Sequence, residues 1–224
     1  MVKEGYSYGF PLALVATGSL ALGLWVPAAL FLLLTLFVLN FFRDPERILP
    51  ADPSALVSPA DGRVVQIAEE SLAGRPVRRI SIFMSPFDVH VNRSPFAGII
   101  REVVYRRGRF HMATAERAST ENEQNIFALE SDAGTIRVRQ VAGLVARRIV
   151  FWKRVGDQVE RGERVGLIKF GSRVDVLLDP AIELRVKIGD RILAGSSVLA
   201  VAAACQETTV DDPDNRQTVG RLLR

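Results

Sequence analysis

The sequence predicts a mainly β domain that follows a hydrophobic, helical membrane segment. Residues 5–42 contain no charged side chain, whereas the remainder is rich in Arg, Asp and Glu. Beyond residue 57 the chain consists of short runs of apolar and β-branched residues, separated by turn-forming residues at a spacing of roughly 8–12 residues. One pattern within this β-rich part occurs twice. The full length of 224 residues accommodates one domain of ordinary size with an appendage.

The membrane segment is predicted from residues 10–42, FPLALVATGSLALGLWVPAALFLLLTLFVLNFF. This run is far longer than the ~18 apolar residues that suggest a membrane span. As one helix it would measure roughly 50 Å, whereas the hydrocarbon core of a bilayer measures about 30 Å. Gly23 and Pro27 lie near its middle, so we expect residues 1–42 to form a helical hairpin or a re-entrant pair of helices. A buried core helix is the alternative interpretation. A cleavable signal peptide is not indicated, because no small-residue cleavage site follows.

The basic residues predict an anionic partner. The net charge is +4, and Lys3, Arg43 and Arg47 flank the hydrophobic segment, so we expect a cell-membrane location with the β-rich domain on the cytoplasmic side. Further basic clusters favour lipid headgroups over nucleic acid, because aromatic residues for base stacking are sparse and an anchor is present. We therefore expect a membrane partner and no nucleic acid. The clustered residues are Arg78, Arg79, Arg106, Arg107, Arg109, Arg147, Arg148, Lys153 and Arg154.

Three predicted regions follow the hydrophobic segment. Residues 43–57 form a linker punctuated by Pro, residues 58–204 form the β-rich domain, and residues 205–224 form a polar C-terminal tail. Within the domain, residues 106–125 are polar and aperiodic, which predicts a long loop with room for one helical turn. The predicted strands are GRVVQIAE, RRISIFMS, DVHVNRSPFAGIIREVVY, GTIRVRQVAG, RIVFWKRV, RVGLIKFG, RVDVLLD and IELRVKIG.

The repeated pattern predicts the type of barrel. VGDQVERGERVGLI at residues 155–168 aligns without gaps with IGDRILAGSSVLAV at residues 188–201. Each copy contains a Gly-Asp turn, and a later Gly suits the hairpin that follows. Two such units are typical of the interlocked hairpin barrel of lipoyl and biotinyl domains, whose barrel-sandwich elements we expect here. The repeat by itself predicts no chemistry.

The Gly171–Ser172 pair is not explained by this repeat. Gly195, in the second Gly-Ser pair, aligns with the turn residue Gly162, whereas Gly171 aligns with Ala204. A β-bulge or turn is the ordinary interpretation of Gly-Ser in a strand-like run. The alternative is backbone self-cleavage, in which the serine hydroxyl attacks the preceding carbonyl carbon and forms an ester. Elimination and hydrolysis would then leave a pyruvoyl group at the new amino terminus.

Four further motifs occur in a fixed order along the chain. They are SPADGRV (58–64), FMSPFDVHVNRSPFAG (83–98), ENEQN (121–125) and KFGSRVDVLLDP (169–180). Together with the apolar amino-terminal segment, they resemble the short, archaeal-type form of phosphatidylserine decarboxylase, a pyruvoyl-dependent enzyme. The resemblance extends from about residue 40 to residue 203.

The resemblance implies a self-cleaving proenzyme. Cleavage between Gly171 and Ser172 would convert Ser172 into the pyruvoyl group, which is the covalent cofactor. The larger fragment, 1–171, and the smaller fragment, 172–224, would stay together as a heterodimer that is open to further oligomerisation. The implied reaction is the decarboxylation of phosphatidylserine to phosphatidylethanolamine through a Schiff base with the pyruvoyl group, a step of phospholipid biosynthesis.

His90 and Asp61 are the candidate catalytic residues besides Ser172. Asp88 and His90 are two residues apart in FDVHVN, so on a strand they would share a face and the carboxylate could orient the imidazole. Asp61, in PADG, matches the family's acidic residue and is a candidate partner of His90, with a plain Asp-Gly turn as the alternative. We expect His90 to transfer protons in self-cleavage, in decarboxylation or in both. His111 lies outside the matched motifs and is expected to be incidental.

The chain departs from the longer bacterial members of the family at two places. They carry Gly-Ser-Thr where this chain has Arg173 after the serine, and a second histidine where this chain has Arg93. The short form is similar to this chain at both places. Asp175 and Asp179 are expected to be solvent-facing or turn residues. Cys205 is the single cysteine, so neither a disulfide framework nor a metal site is expected.

Two other classes of function remain open from the sequence. A membrane-tethered, non-catalytic barrel module of the lipoyl type would carry a lysine at an exposed hairpin tip, whereas Lys169 lies in a predicted strand. A serine hydrolase acting on lipids would carry Gly-x-Ser-x-Gly, which KFGSR lacks. Self-cleavage predicts two pieces by intact mass, whereas both alternatives predict one full-length chain.

Overall fold

The computed structural model describes residues 1–113, 115, 117–144, 148–169 and 172–202. The predicted polar tail, residues 205–224, and the predicted cleavage residue Gly171 lie outside the described residues. Within the described part, the chain forms two long helices, one short helix and fourteen strands. In chain order these are α1 (Lys3–Ala21), α2 (Trp25–Phe41), β1 (Ala55–Val57), β2 (Gly62–Leu72), β3 (Arg75–Met84), β4 (Val91–Arg93), β5 (Gly98–Arg106), α3 (Ala118–Glu121), β6 (Gln124–Ser131), β7 (Gly134–Val141), β8 (Arg148–Phe151), β9 (Gln158–Val159), β10 (Arg164–Lys169), β11 (Ser172–Leu178), β12 (Glu183–Leu184), β13 (Arg191–Ile192) and β14 (Val198–Val201).

The two amino-terminal helices pack against each other as a hairpin. The chain reverses between them at Gly23, whose φ of +71° lies in the left-handed region that glycine adopts most readily. Pro27 lies in the first turn of α2, where a missing backbone N–H is tolerated. In the part of the chain that the structure describes, no helix has both the length and the apolar character needed to cross a membrane.

Beyond the helical hairpin, the described chain is mainly antiparallel β, which confirms the predicted fold class at this level. The largest sheet has eight strands in the order β13-β2-β3-β11-β7-β6-β5-β9, and it curls into a half-barrel. Two three-stranded sheets, β4-β10-β8 and β1-β14-β12, complete the domain. β11 lies within the large sheet and is hydrogen-bonded to β3 on one side and to β7 on the other.

Two apolar clusters meet at β10. The main core of the domain contains Ile168, whereas Leu167 belongs to a second cluster that joins the hairpin to the domain. In that second cluster, Phe41 and Phe42 at the end of α2 lie with Val91 of β4. Successive side chains of a strand point to opposite faces. β10 therefore separates the main core from the hairpin, and the hairpin packs directly against this part of the domain.

The predicted repeat forms equivalent structures in its two copies, β9–β10 and β13–β14. Gly156 and Gly189, at corresponding positions, have φ of 95° and 98°. The N–H of Gly156 donates to the carbonyl oxygen of Ile100 in β5, and the N–H of Gly189 donates to that of Val64 in β2, both at 2.8 Å. Each copy therefore makes the same turn against the first residues of a long strand.

A second repeat, which the sequence analysis missed, adds to this two-fold pattern. SPADG (58–62) leads into β2, and SPFAG (94–98) leads into β5. The residue before each segment donates its N–H to the proline carbonyl of the other segment. These reciprocal bonds, both 2.9 Å long, run from Val57 to Pro95 and from Arg93 to Pro59. The two segments are therefore related by an approximate two-fold axis.

Residues of the predicted linker, 43–57, are tied to the domain by buried ion pairs. Asp44 pairs with Arg93 at 3.1 Å, and Arg47 pairs with Asp61 at 2.7 Å. Three of these four side chains are at most one-tenth exposed, and that of Arg47 is only slightly more so. The ion pairs fix the path of the chain between the helical hairpin and the β domain.

Local differences from the predicted strands have physical causes. β6 is absent from the predicted set because it begins within the polar ENEQN motif. The predicted run DVHVNRSPFAGIIREVVY forms two strands, β4 and β5, since Pro95 between them cannot donate to a ladder. The last three residues of the predicted linker form β1, which pairs with β14. The polar loop contains one helical turn, α3.

Candidate active site

Ser172 is the first residue of β11 and lies opposite Met84 of β3. Its side chain is fully buried, as are all seven residues of this strand. The hydrogen bond that the structure gives the Ser172 hydroxyl goes to the Met84 sulfur, at 3.4 Å. A thioether is a weak acceptor. Among the described residues, the hydroxyl is therefore enclosed without a strong bond that would hold it in a structural role.

A line of buried side-chain amides ends beside this serine. Asn125 Nδ2 donates to Gln140 Oε1 at 2.8 Å, and Gln140 Nε2 donates to Asn92 Oδ1 at 2.8 Å. Asn92 Nδ2 lies 3.8 Å from the Met84 sulfur that the Ser172 hydroxyl contacts. Because each amide orients the next, the NH2 group of Asn92 is held toward the Met84–Ser172 contact. The sequence analysis missed this line, although Asn125 belongs to the ENEQN motif.

His90 lies just before β4 and is buried against the helical hairpin. Its ring stacks on Phe41 with centroids 4.1 Å apart, and its backbone carbonyl accepts from the N–H of Ile168 at 3.3 Å. His90 Nδ1 lies 2.9 Å from the carbonyl oxygen of Asp88. A carbonyl oxygen only accepts, so Nδ1 carries the proton of that bond and Nε2 keeps its lone pair.

Burial lowers the pKa of the His90 imidazole from 6.5 to about 4, although the bond to the Asp88 backbone opposes the shift. The imidazole is therefore neutral at physiological pH. A neutral imidazole can act as a base, which is the capacity predicted for His90.

The predicted pairing of the Asp88 carboxylate with His90 is wrong. Asp88 lies in a turn rather than in a strand, so the expected alternation of side chains does not apply to it. Its Oδ2 accepts from the backbone N–H of Ser85 at 2.8 Å, and its Oδ1 accepts from Arg191 at 3.2 Å. Asp88 holds the imidazole through its backbone carbonyl instead.

Asp61 is buried, and its carboxylate is held by Arg47. The guanidinium NH2 donates to both carboxylate oxygens, at 2.9 and 2.7 Å, and the backbone N–H of Ala194 donates to Oδ1 at 2.7 Å. These bonds differ from the predicted pairing with His90. Asp61 immediately precedes β2, which runs beside β3 and places the carboxylate at the same end of the sheet as Ser172.

Arg93, which replaces the second histidine of the longer family members, has a structural role. Its guanidinium donates to the carbonyl of Gly162 at 3.0 Å, to that of Pro45 at 3.0 Å and to the Asp44 carboxylate at 3.1 Å. It therefore links the linker to the repeat turn.

Arg173 and Asp175 form a buried ion pair within β11. Arg173 Nε lies 2.8 Å from Asp175 Oδ1, and both side chains are almost completely buried. The prediction that Asp175 faces solvent is therefore wrong, because β11 is covered on both faces and does not alternate. Arg139 approaches the other carboxylate oxygen at 3.6 Å, and Arg79 approaches it at 4.0 Å. Glu70 pairs more closely with the same two arginines, at 3.0 Å each, so Asp175 is the principal carboxylate partner of Arg173 alone.

The same arginine attaches the polar loop to the start of β11. Arg173 donates to the carbonyl of Ala113 at 3.0 Å and to the hydroxyl of Ser119 in α3. The sequence analysis noted Arg173 only as a departure from the longer family members. Two opposite charges, two residues apart inside an otherwise apolar strand, could have indicated this structural role.

The remaining candidates, His111 and Asp179, have polar partners of their own. His111 contacts Glu121 at 3.0 Å in the polar loop. Asp179 accepts from the backbone N–H of Ala181 at 2.8 Å, which confirms its prediction as a turn residue. Among the residues that the structure describes, no group of three or more His, Cys, Asp and Glu side chains could hold a metal ion.

These features define a class of site in which a serine is enclosed within a sheet, next to a line of oriented amides. This differs from the exposed serine of a nucleophile elbow. Residues 34–200 match the family model described as phosphatidylserine decarboxylase.

Two curated proteins named phosphatidylserine decarboxylase proenzyme are similar to this chain. The protein of Solibacter usitatus (strain Ellin6076) is 51% identical over 198 residues, covering 87% of this chain and 95% of that protein. The protein of Geotalea uraniireducens (strain Rf4) is 49% identical over 200 residues, covering 86% and 94%. This chain belongs to the phosphatidylserine decarboxylase family, which confirms the resemblance found in the motifs.

Replacing Asp175 by Asn is expected to destabilise the fold strongly. The change leaves the buried Arg173 without the carboxylate that lies 2.8 Å from it, and breaking a buried ion pair from one side costs roughly 3–5 kcal/mol. The measurement is the free energy of unfolding in urea, made in a Ser172→Ala background so that a single chain unfolds. Asp179→Asn, at an exposed turn, is the control and should change little. Equal losses in the two variants would contradict the assigned role of Asp175.

The folded state is expected to lose stability in acid because of His90. The unfolded imidazole binds a proton near pH 6.5, whereas the folded one resists protonation until about pH 4. Stability should therefore fall as the pH drops from about 6.5 to about 4, by roughly 3 kcal/mol in total, and this contribution should level off below that range. His90→Phe, which retains an aromatic ring on Phe41, should reduce the slope in urea titrations. Identical pH profiles of the two proteins over this window would show that His90 does not cause the loss.

Proposed function

We propose that this chain is a self-cleaving phosphatidylserine decarboxylase that produces phosphatidylethanolamine in phospholipid biosynthesis. The observation that carries the proposal is the buried Ser172 at the start of β11, in a chain whose family includes proteins named as proenzymes. Ser172 is the residue at which we place both cleavage and the cofactor, with Gly171 on the other side of the cleaved bond.

The surroundings of Ser172 suit a pyruvoyl group. Once formed, this group supplies a ketone that condenses with the substrate amine and takes up the electrons left when CO2 departs. The Ser172 side chain is fully buried, so bulk water is kept from that position. Asn92 holds an NH2 group near the Met84 sulfur that the Ser172 hydroxyl contacts. Such donors stabilise negative charge on a nearby carbonyl oxygen.

We assign proton transfer to His90. Its burial keeps the imidazole neutral, and a neutral imidazole is a base that can accept the proton of the Ser172 hydroxyl during cleavage or exchange a proton with the substrate. Asp61 is the second candidate catalytic residue. Arg47 neutralises its charge and fixes its orientation, so we place Asp61 in support of the cleavage step.

The two fragments, 1–171 and 172–224, should remain associated after cleavage. The smaller fragment begins with β11, which is hydrogen-bonded on both edges to strands of the larger fragment, β3 and β7. Two more strands of the smaller fragment also pair with the larger one, β13 with β2 and β14 with β1. We therefore propose a heterodimer held by sheet hydrogen bonds, with residues 58–204 as its catalytic domain.

We propose that the domain is an interlocked hairpin barrel of the lipoyl and biotinyl type. The two-fold arrangement of the Gly-Asp and Ser-Pro repeats supports this type. The alternative function of a lipoyl-like carrier is disfavoured, because Lys169 is buried in β10 rather than exposed at a hairpin tip.

We further propose that the hairpin places the enzyme at the cell membrane, with the β domain on the cytoplasmic side. Large apolar side chains surround its turn and are exposed, including Leu22 at 77%, Trp25 at 73% and Val26 at 81%. Contiguous exposed apolar surface of this kind marks a site of interaction with lipid or protein. Phosphatidylserine resides in a bilayer, so lipid is the occupant we assign.

Replacing Ser172 by Ala is expected to abolish cleavage and decarboxylation together, because no hydroxyl remains to attack the backbone or to become the cofactor. Intact mass should show one full-length chain, whereas the parent should give two, the smaller with a blocked amino terminus. Ser196→Ala, in the second Gly-Ser pair, is the matched control and should process normally. Release of CO2 from phosphatidylserine by the Ser172→Ala protein would falsify the proposal.

Placing aspartates at Trp25 and Val26 is expected to weaken membrane binding, because both side chains would have to carry a charge into lipid. The measurement is co-flotation with vesicles of phosphatidylcholine and phosphatidylserine, with normal self-cleavage as the check on folding. Ile188→Asp, at an apolar residue that is also exposed but lies in the β domain, should float like the parent. Unchanged flotation of the hairpin variant would remove the turn from the membrane contact.

A further inference from the structure

Lys169, the last residue of β10, carries a buried positive charge close to Ser172 in the chain. Lys169 is only 7% exposed. Its Nζ lies 3.3 Å from the Tyr8 hydroxyl, 5.0 Å from the centroid of the Tyr8 ring and 5.9 Å from that of the Phe42 ring. Within the described residues, no carboxylate lies within ion-pair distance of it. The residue opposite Lys169 on β8 is Arg148, which adds positive charge rather than balancing it.

A buried ammonium group without an anionic partner is unfavourable, because removing it from water is compensated only partly. The faces of Tyr8 and Phe42 attract the cation and offset some of this cost. The ion-pair capacity of Lys169 nevertheless remains unused. A ligand that brings its own negative charge would complete the site.

The surroundings of Lys169 indicate where such a ligand enters. Tyr8 belongs to α1 and is 46% exposed, and its ring stacks on Phe42 at 5.7 Å with an interplanar angle of 13°. The lysine therefore lies beneath a partly exposed tyrosine, at the junction of the helical hairpin and the β domain. The Lys169 amine and the Tyr8 hydroxyl are close enough for one oxyanion to accept a hydrogen bond from both.

We propose that Lys169, with Tyr8, binds the phosphodiester group of the phospholipid substrate. This inference rests on the proposed function. In the substrate, the phosphodiester lies between the acyl chains and the serine headgroup. Lys169 correspondingly contacts Tyr8 of the hairpin, which we assign to lipid, and precedes Ser172 by three residues in the chain.

The substrate carboxylate is the other anion available, and catalysis argues against it. A cation that holds the carboxylate stabilises the charge that is lost as neutral CO2 departs, so it would lower the energy of the ground state more than that of the transition state. The phosphodiester stays negatively charged throughout the reaction. Binding energy obtained from it positions the substrate without opposing the chemistry.

The test compares the processed enzyme with its Lys169→Met, Lys169→Arg and Tyr8→Phe variants, with Lys187→Met as an exposed-lysine control. Intact mass first establishes that each protein has cleaved and carries the blocked smaller fragment. Kinetics with dispersed short-chain phosphatidylserine then give KM and kcat, and isothermal titration gives the affinity for short-chain phosphatidylethanolamine. This product keeps the phosphodiester but lacks the carboxylate, so its binding distinguishes the two anions.

Lys169→Met is expected to cleave normally, to raise KM at least tenfold with a smaller change in kcat, and to weaken phosphatidylethanolamine binding by a similar factor. Tyr8→Phe should weaken binding a few-fold, and Lys169→Arg should retain most of it. Lys187→Met should match the parent.

Three results with the Lys169→Met protein would overturn the inference. The first is failure of the folded protein to cleave. The others are loss of phosphatidylserine turnover with normal phosphatidylethanolamine binding, and a KM and an affinity equal to those of the parent. If Lys169→Met does not fold, parental binding by Tyr8→Phe overturns it. An inactive, uncleaved parent would instead refute the proposed function.

Discussion

The position of β11 between β3 and β7 is the constraint on which the rest of the structure depends. Both edges of this strand are hydrogen-bonded, and both of its faces are buried. A chain cut immediately before such a strand would lose one covalent bond but none of the sheet pairing that starts at Ser172. The new terminus would therefore remain where the uncut backbone had placed it. A reactive group can be made from the protein's own backbone only if its position survives the cut in this way.

Burial of β11 also determines how its charges are arranged. Arg173 next to the serine is held by Asp175 within the same strand, and it reaches outward to the polar loop through Ala113 and Ser119. His90, by contrast, is uncharged, because its burial favours the neutral imidazole. The domain therefore combines a compensated ion pair, which maintains structure, with a buried imidazole that is neutral at physiological pH.

Much of the fold and part of the site could be predicted from the sequence. Ser172, His90 and Asp61 were predicted from local motifs and stay predictions, whereas most strands were predicted correctly from turn spacing. Asp175 was misassigned because a central strand covered on both faces has no polar side to reveal its direction. The Asp88–His90 pairing failed because a turn, not a strand, precedes β4. The contact of Lys169 with Tyr8 was missed since it joins residues 161 positions apart through packing, which no local pattern encodes.

The reciprocal Ser-Pro segments allow one half of the domain to be compared with the other. Ser58 donates its hydroxyl to the Ala60 carbonyl at 2.6 Å, and Ser94 donates to the Phe96 carbonyl at 2.7 Å, so the two turns have the same internal bond. At the next position the first turn has Asp61 and the second has Ala97. The second turn thus has an alanine at the position of Asp61, and it forms the same internal bond without a carboxylate. Backbone geometry alone gives no reason for a carboxylate at residue 61.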